Sequence, residues 1–146
     1  MRRSLHHAVT AAGLLSLLSG GVLAQTSKPL PYNPMQVEPD QDQSPLGVAT
    51  EEFKGIHVVS AQVRGVRMAN GEVYWVSANQ EVLSAYHGNR LLWQVNVAQA
   101  FQPAIAQPRI EKLVLASNVV FVFTNQKGAI EVERESGKLS PTTIYK

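Results

Sequence analysis

The chain has 146 residues, 45% of them hydrophobic and 16% charged, and contains no cysteine. That length suits one domain with its own apolar core, and the missing cysteines exclude disulfides, a thiolate nucleophile and a lipid-bearing cysteine. The formal charge is only +2, from 13 Lys and Arg against 11 Asp and Glu, well short of the basic stripe that marks a nucleic-acid binder.

Residues 1–24 have the three zones of a cleavable secretory signal. Met1-Arg2-Arg3 supplies the positive end, Ala8 to Leu18 an apolar stretch, and Gly20-Gly21 a helix breaker. Val22-Leu23-Ala24 then offers compact residues to a signal peptidase, with cleavage expected between Ala24 and Gln25. The apolar run is shorter than the roughly 20 residues that cross a bilayer, so membrane contact is expected only through this segment, before cleavage. Losing Arg2 and Arg3 leaves 11 basic against 11 acidic side chains, and His6 and His7 leave with them. No nucleic-acid partner is therefore expected. Export without cysteine points to a bacterial periplasmic or secreted protein.

Residues 25–52 read as a proline-rich flexible leader. They hold five of the eight prolines and both aspartates, Asp40 and Asp42, and proline disfavours both helix and strand. The alternative is a docking arm that pairs with a partner or with the domain's own sheet edge, anchored by Leu30, Tyr32 and Met35.

Residues 53–146 are expected to form an all-β domain. Segments rich in Val, Ile, Tyr, Trp and Phe alternate with turn residues at short spacing. Phe53 to Met68 adds a strand or two, and Gly65 suggests a bulge. A first four-stranded antiparallel meander, about 66–97, is predicted around Asn70-Gly71 (which suits a type I′ turn), Asn79-Gln80 and Gly88-Asn89. Ala98 to Ile110, with Pro103 and Pro108, interrupts the pattern. A second meander, about 112–145, turns at Ser117-Asn118, Asn125 to Gly128 and Ser136-Gly137. Val119 to Phe123 is apolar at every position, so this strand is expected at the centre of a sheet with both faces covered.

The two meanders read as copies of one unit. Asn79-Gln80 recurs 46 residues later as Asn125-Gln126, and Val73 to Ser77 aligns with Val120 to Thr124. A period of 40–50 residues with four strands per repeat is the pattern of propeller blades. Glu72 to Tyr86, continuing through Arg90-Leu91-Leu92-Trp93-Gln94-Val95, resembles a blade of the pyrroloquinoline-quinone-type (quinoprotein-like) β-propeller repeat, whose motif has the form A-x-D-x-x-T-G-K-x-x-W. The second copy resembles it through Glu133, Ser136, Gly137 and Lys138. The first copy keeps Ala85 and Trp93 but lacks the motif's Asp and Thr. The second has Glu133 and Ser136 in their places, and Pro141 where the Trp belongs. In the family that Trp packs between blades and the Asp and Thr fix the turn, so each copy holds half of the docking device. Propellers close with about 4–8 blades, and this chain supplies two. The expectation is that the meanders pack together as a small sandwich or barrel; a ring assembled as a homo-oligomer is the alternative.

Little in the domain points to catalysis. His57 lies between Ile56 and Val58 and reads as a solvent-facing strand residue, and His87 sits in a turn. Neither has the carboxylate or histidine spacing of a zinc site, and G-x-S-x-G is absent. Glu131, Glu133 and Glu135 alternate as a solvated face does. Tyr74, Trp75, Tyr86 and Trp93 suit core packing; if a ligand or partner surface exists, Tyr86, His87, Arg90 and Trp93 around the third turn are its candidates. No metal and no cofactor is expected. These observations predict an exported, non-catalytic β-domain that binds a protein or another cell-envelope component. The resemblance implies as alternatives a quinone-binding redox subunit or a degenerate propeller fragment with a structural role. Such quinone sites use a full ring of blades, calcium-binding acids and often vicinal cysteines, which this chain lacks.

Overall fold

The computed structural model describes residues 28–40 and 55–146, and its strands form two sheets of five. The signal segment with its expected cleavage site at Ala24 and Gln25, and residues 41–52 of the expected leader, lie outside the described residues. The first sheet contains β1 (Val37–Pro39), β3 (Gly65–Arg67), β4 (Glu72–Val76), β5 (Val82–His87) and β6 (Arg90–Asn96), side by side in that order. The second runs β10 (Thr143–Ile144), β9 (Gly128–Glu133), β8 (Val119–Thr124), β7 (Ile110–Leu115) and β2 (Ile56–Val58).

The domain is all-β, as expected, but its sheets are five-stranded and neither closes into a barrel. The extra strands come from the N-terminal side. β1 pairs in parallel with β3, and β2 pairs antiparallel with β7. The strand expected at Lys138 to Tyr145 is reduced to a bridge between Val132 and Leu139 and to the two residues of β10, because Pro141 cannot donate to a ladder.

Turn chemistry explains the hairpins, with one correction. At Met68 to Gly71 only Gly71 takes a positive φ, +88°, so the turn is not type I′. Asn70 instead accepts the Glu72 amide on its side-chain oxygen at 3.0 Å. The result is an ordinary turn followed by a left-handed glycine, a common hairpin design. Gln80 takes the same left-handed place after its own turn without glycine, with φ of 61°, whereas between Asn125 and Gly128 two consecutive residues, Gln126 and Lys127, are left-handed, with φ of 57° and 60°. Gly65 is no bulge, since it pairs in register with Trp75. It permits close approach instead: a Cβ there would lie 2.8 Å from the Trp75 ring.

The inner faces of both sheets share one core. Tyr74, Val76, Leu83, Ala85 and Trp93 from the first sheet pack with Leu113, Leu115, Val120, Val122, Ile130 and Val132 from the second. Between β6 and β7 the chain forms one short helical turn, α1 (Val97–Ala100), capped by the Asn96 side chain accepting from the Gln99 amide. Val97, Phe101, Ile105 and Ile110 from this connection join the same core. The helical turn is too short to persist alone; its buried residues hold it.

Residues 28–40, expected within a flexible leader, are part of the fold. Tyr32 is buried against Trp75 and Tyr86, with ring centroids 6.0 and 5.6 Å away, on the outer face of the first sheet. Val37 joins this second cluster with Val73. Of the three anchors named for a docking arm, Tyr32 is buried, whereas Leu30 and Met35 are exposed. β4 is consequently buried on both faces from Val73 to Val76.

Candidate partner-binding face

The four residues proposed around the third turn do not form one surface. Trp93 points into the core, and its indole N–H donates to the Arg134 carbonyl at 2.7 Å. Tyr86 lies on the opposite face of the sheet, partly covered by Tyr32. His87 and Arg90 are exposed and face each other across the tight turn. Alternation along β5 and β6, with the register shift between Ala85 and Tyr86, sends these side chains to different faces.

Trp93 instead joins the two repeats. Its ring lies against Gly137, where an added Cβ would come within 2.8 Å, and Gly137 holds φ of +73°. The turn beneath it is fixed by a hydrogen bond from the Ser136 hydroxyl to Glu133, and by the Gly137 amide donating to the Glu133 carbonyl at 2.8 Å. Trp93 of β6 and the turn from Glu133 to Gly137 thus meet at the joint between the two sheets. Beside it, Arg134 donates to the Tyr74 hydroxyl at 2.8 Å, to Glu72 at 3.0 Å and to the Ala116 and Ser117 carbonyls. Burial pushes the Tyr74 phenol up, and Glu72 beside it adds to the rise to about 12 although Arg134 opposes it. Burial also raises the Glu72 carboxyl, but hydrogen bonds from Tyr74, Arg134 and Asn70 outweigh this and hold it below its ordinary value.

His57 is buried at 2% exposure, which overturns the expectation of a solvent-facing residue. Ile56 and Val58 face outward and His57 inward, opposite Leu113. Its Nδ1 lies 2.5 Å from a Glu38 carboxylate oxygen and its Nε2 lies 3.0 Å from Asp40. The imidazole ring thus bridges the two carboxylates, one at each ring nitrogen. Asp40, expected in the leader, is itself buried. The cluster therefore ties the β1 edge of the first sheet to β2 of the second. It has no shape for a metal: the acids sit at different ring nitrogens, and among the described residues no group of three or more His, Cys, Asp or Glu could hold an ion.

Among the described residues, nothing lies over one broad apolar surface. Strand β8 is central, and its inner residues Val120, Val122 and Thr124 are buried, but Val119, Phe121 and Phe123 on the outer side are only half-buried. The apolar run thus has one covered face rather than two. Ladder registers define rows across this face. Val58, Lys112, Phe123 and Ala129 form one row; Ile56, Val114, Phe121 and Glu131 form the next. Ile56 is 50%, Val58 56% and Tyr145 55% exposed. Ile56 and Tyr145, with Glu111, Thr124, Lys127 and Gly128, border a shallow groove of about 730 Å³.

No protein-family model matches this chain, and no curated protein does. The open face has to be read from its chemistry. Reasoning from sequence missed it because an all-apolar strand reads as doubly covered; the usable signal was Val119 to Phe123 itself.

Proposed function

We propose that this chain is an exported, non-catalytic β-domain of two propeller-blade-like repeats, which binds a protein of the bacterial cell envelope through the outer face of its second sheet. The observation that carries the reading is the open row of Phe121, Phe123, Val114, Ile56 and Val58 on a domain whose other outer face its own residues 28–40 already cover. Contiguous apolar patches of this kind on a soluble domain mark interaction sites. The N-terminal segment supports export. The Trp93–Gly137 contact supports the blade reading, because it joins the two repeats through the motif that carries the resemblance.

The binding role is tested by placing a photo-crosslinking amino acid at Phe121, and separately at Met35, which is exposed on the other side of the fold. A discrete cross-linked protein product in intact cells from position 121, absent from position 35, is the expected outcome. Equal yields from both positions, or none from 121, would refute the reading.

A further inference from the structure

We infer that the occupant of the open face is a second copy of this chain, paired about a two-fold axis that runs along β8. The inference rests on reading that face as a protein-binding surface and names what it binds.

The two outer faces of the domain differ. Tyr32, stacked over Trp75 and Tyr86, and Val37 beside them close the first sheet. The second sheet stays open. Copies therefore cannot stack head to tail, since the open face of one would meet the closed face of the next. Open face against open face is the remaining arrangement, and such an isologous contact closes at two copies.

Charge on the face is self-complementary. Lys112 lies on β7 in the row of Phe123 and Ala129, and Glu131 lies on β9 in the neighbouring row with Phe121. Both are exposed. Rotation about an axis along β8 lays β7 of one copy over β9 of the other. Lys112 of one copy then comes over Ala129 of the second, one same-face step of about 7 Å from its Glu131, within reach of a lysine side chain. Symmetry makes this pair twice, flanking a central contact of Phe121 and Phe123 from both copies. Charges of one sign would repel across a two-fold axis; here each meets its opposite.

The test is the mass in solution of the signal-free chain, by sedimentation and light scattering, up to about 100 µM, a range that detects even weak pairing. A dimer is expected. Phe121→Lys should be monomeric while retaining the wild-type circular dichroism spectrum, since Phe121 is outside the shared core. Lys112→Glu and Glu131→Lys should each weaken pairing by on the order of tenfold by setting like charges together, and the double variant should recover it. A wild-type monomer overturns the inference; if position 121 still cross-links to another envelope protein, the reading of the face survives. A dimer that ignores Phe121→Lys overturns both. Any larger closed assembly, or failure of the double variant to recover pairing, overturns the two-fold arrangement.

Discussion

At the scale of single residues, the joint between the repeats depends on the absence of one Cβ. Gly137 needs its positive φ and also the space occupied by the Trp93 ring. Gly137→Ala should destabilise the fold by about 1–3 kcal/mol, combining backbone strain with overpacking. Trp93→Phe should cost a similar amount by leaving the Arg134 carbonyl without its donor. Urea midpoints would check both. Replacing His57 by alanine removes the hydrogen-bond partner of buried Asp40 and of Glu38 together, a change worth about 1–3 kcal/mol; an unchanged urea midpoint would contradict the clamp. Tyr74 supplies a pH signature. Its folded value of about 12 lies above the ordinary 10.0. Stability from the neutral phenol is thus fully present below pH 10 and is lost as pH rises through about 12. The Tyr74→Phe variant should be less stable at neutral pH and lack this share of the alkaline loss. Glu72 acts in the opposite direction: held low, it contributes above its ordinary 4.5 and loses that contribution as pH falls through its folded value.

At the scale of elements, the segment from 28 to 40 behaves as a strand and a cap rather than a leader. Its proline content suits that role. Pro34 begins a 3-10 turn capped by Asn33, and Pro39 ends an edge strand, where a missing donor is tolerated. β1 is three residues long, so its ladder alone would not hold it. Tyr32 on one side and the His57 clamp on the other fix it in place. Tyr32→Ala should therefore uncover Trp75 and Tyr86 at a cost of about 2–4 kcal/mol. The expected readout is red-shifted tryptophan fluorescence together with faster proteolysis within residues 28–40. Wild-type protection in that variant would mean the arm is held without its aromatic anchor.

At the scale of the whole molecule, the two sheets are interdependent. The chain visits them alternately: β1 in the first, β2 in the second, β3 to β6 in the first, then β7 to β10 in the second. Each inner face is apolar and is covered by the other together with Val97, Phe101 and Ile105 of the connection, so neither sheet has a water-compatible form alone. Residues 28–107 and 108–146 made separately should lack cooperative melting by circular dichroism. A sigmoidal transition in either fragment would refute this. The Trp93 contact with the Glu133–Gly137 turn joins the two sheets, and residues 28–40 close one outer side of the pair.

Alternation of apolar residues and turn dipeptides were enough to read the all-β class and the positions of β4 to β9 from the sequence. These are local properties, fixed by the two-residue period of a strand and by the φ that each turn demands. What lies against each face is not local. Trp93 finds its acceptor 41 residues away, and His57 finds Asp40 at a separation of 17. The sequence around His57 alternates, but alternation does not say which parity faces the core, so His57 was assigned to the wrong side. The same ambiguity scattered Tyr86, His87, Arg90 and Trp93 over different surfaces. Sequence alone determined that this chain builds antiparallel β-structure. Tertiary structure decided which outer face its own N-terminal segment covers and which one, carrying Phe121 and Phe123, is left for a partner.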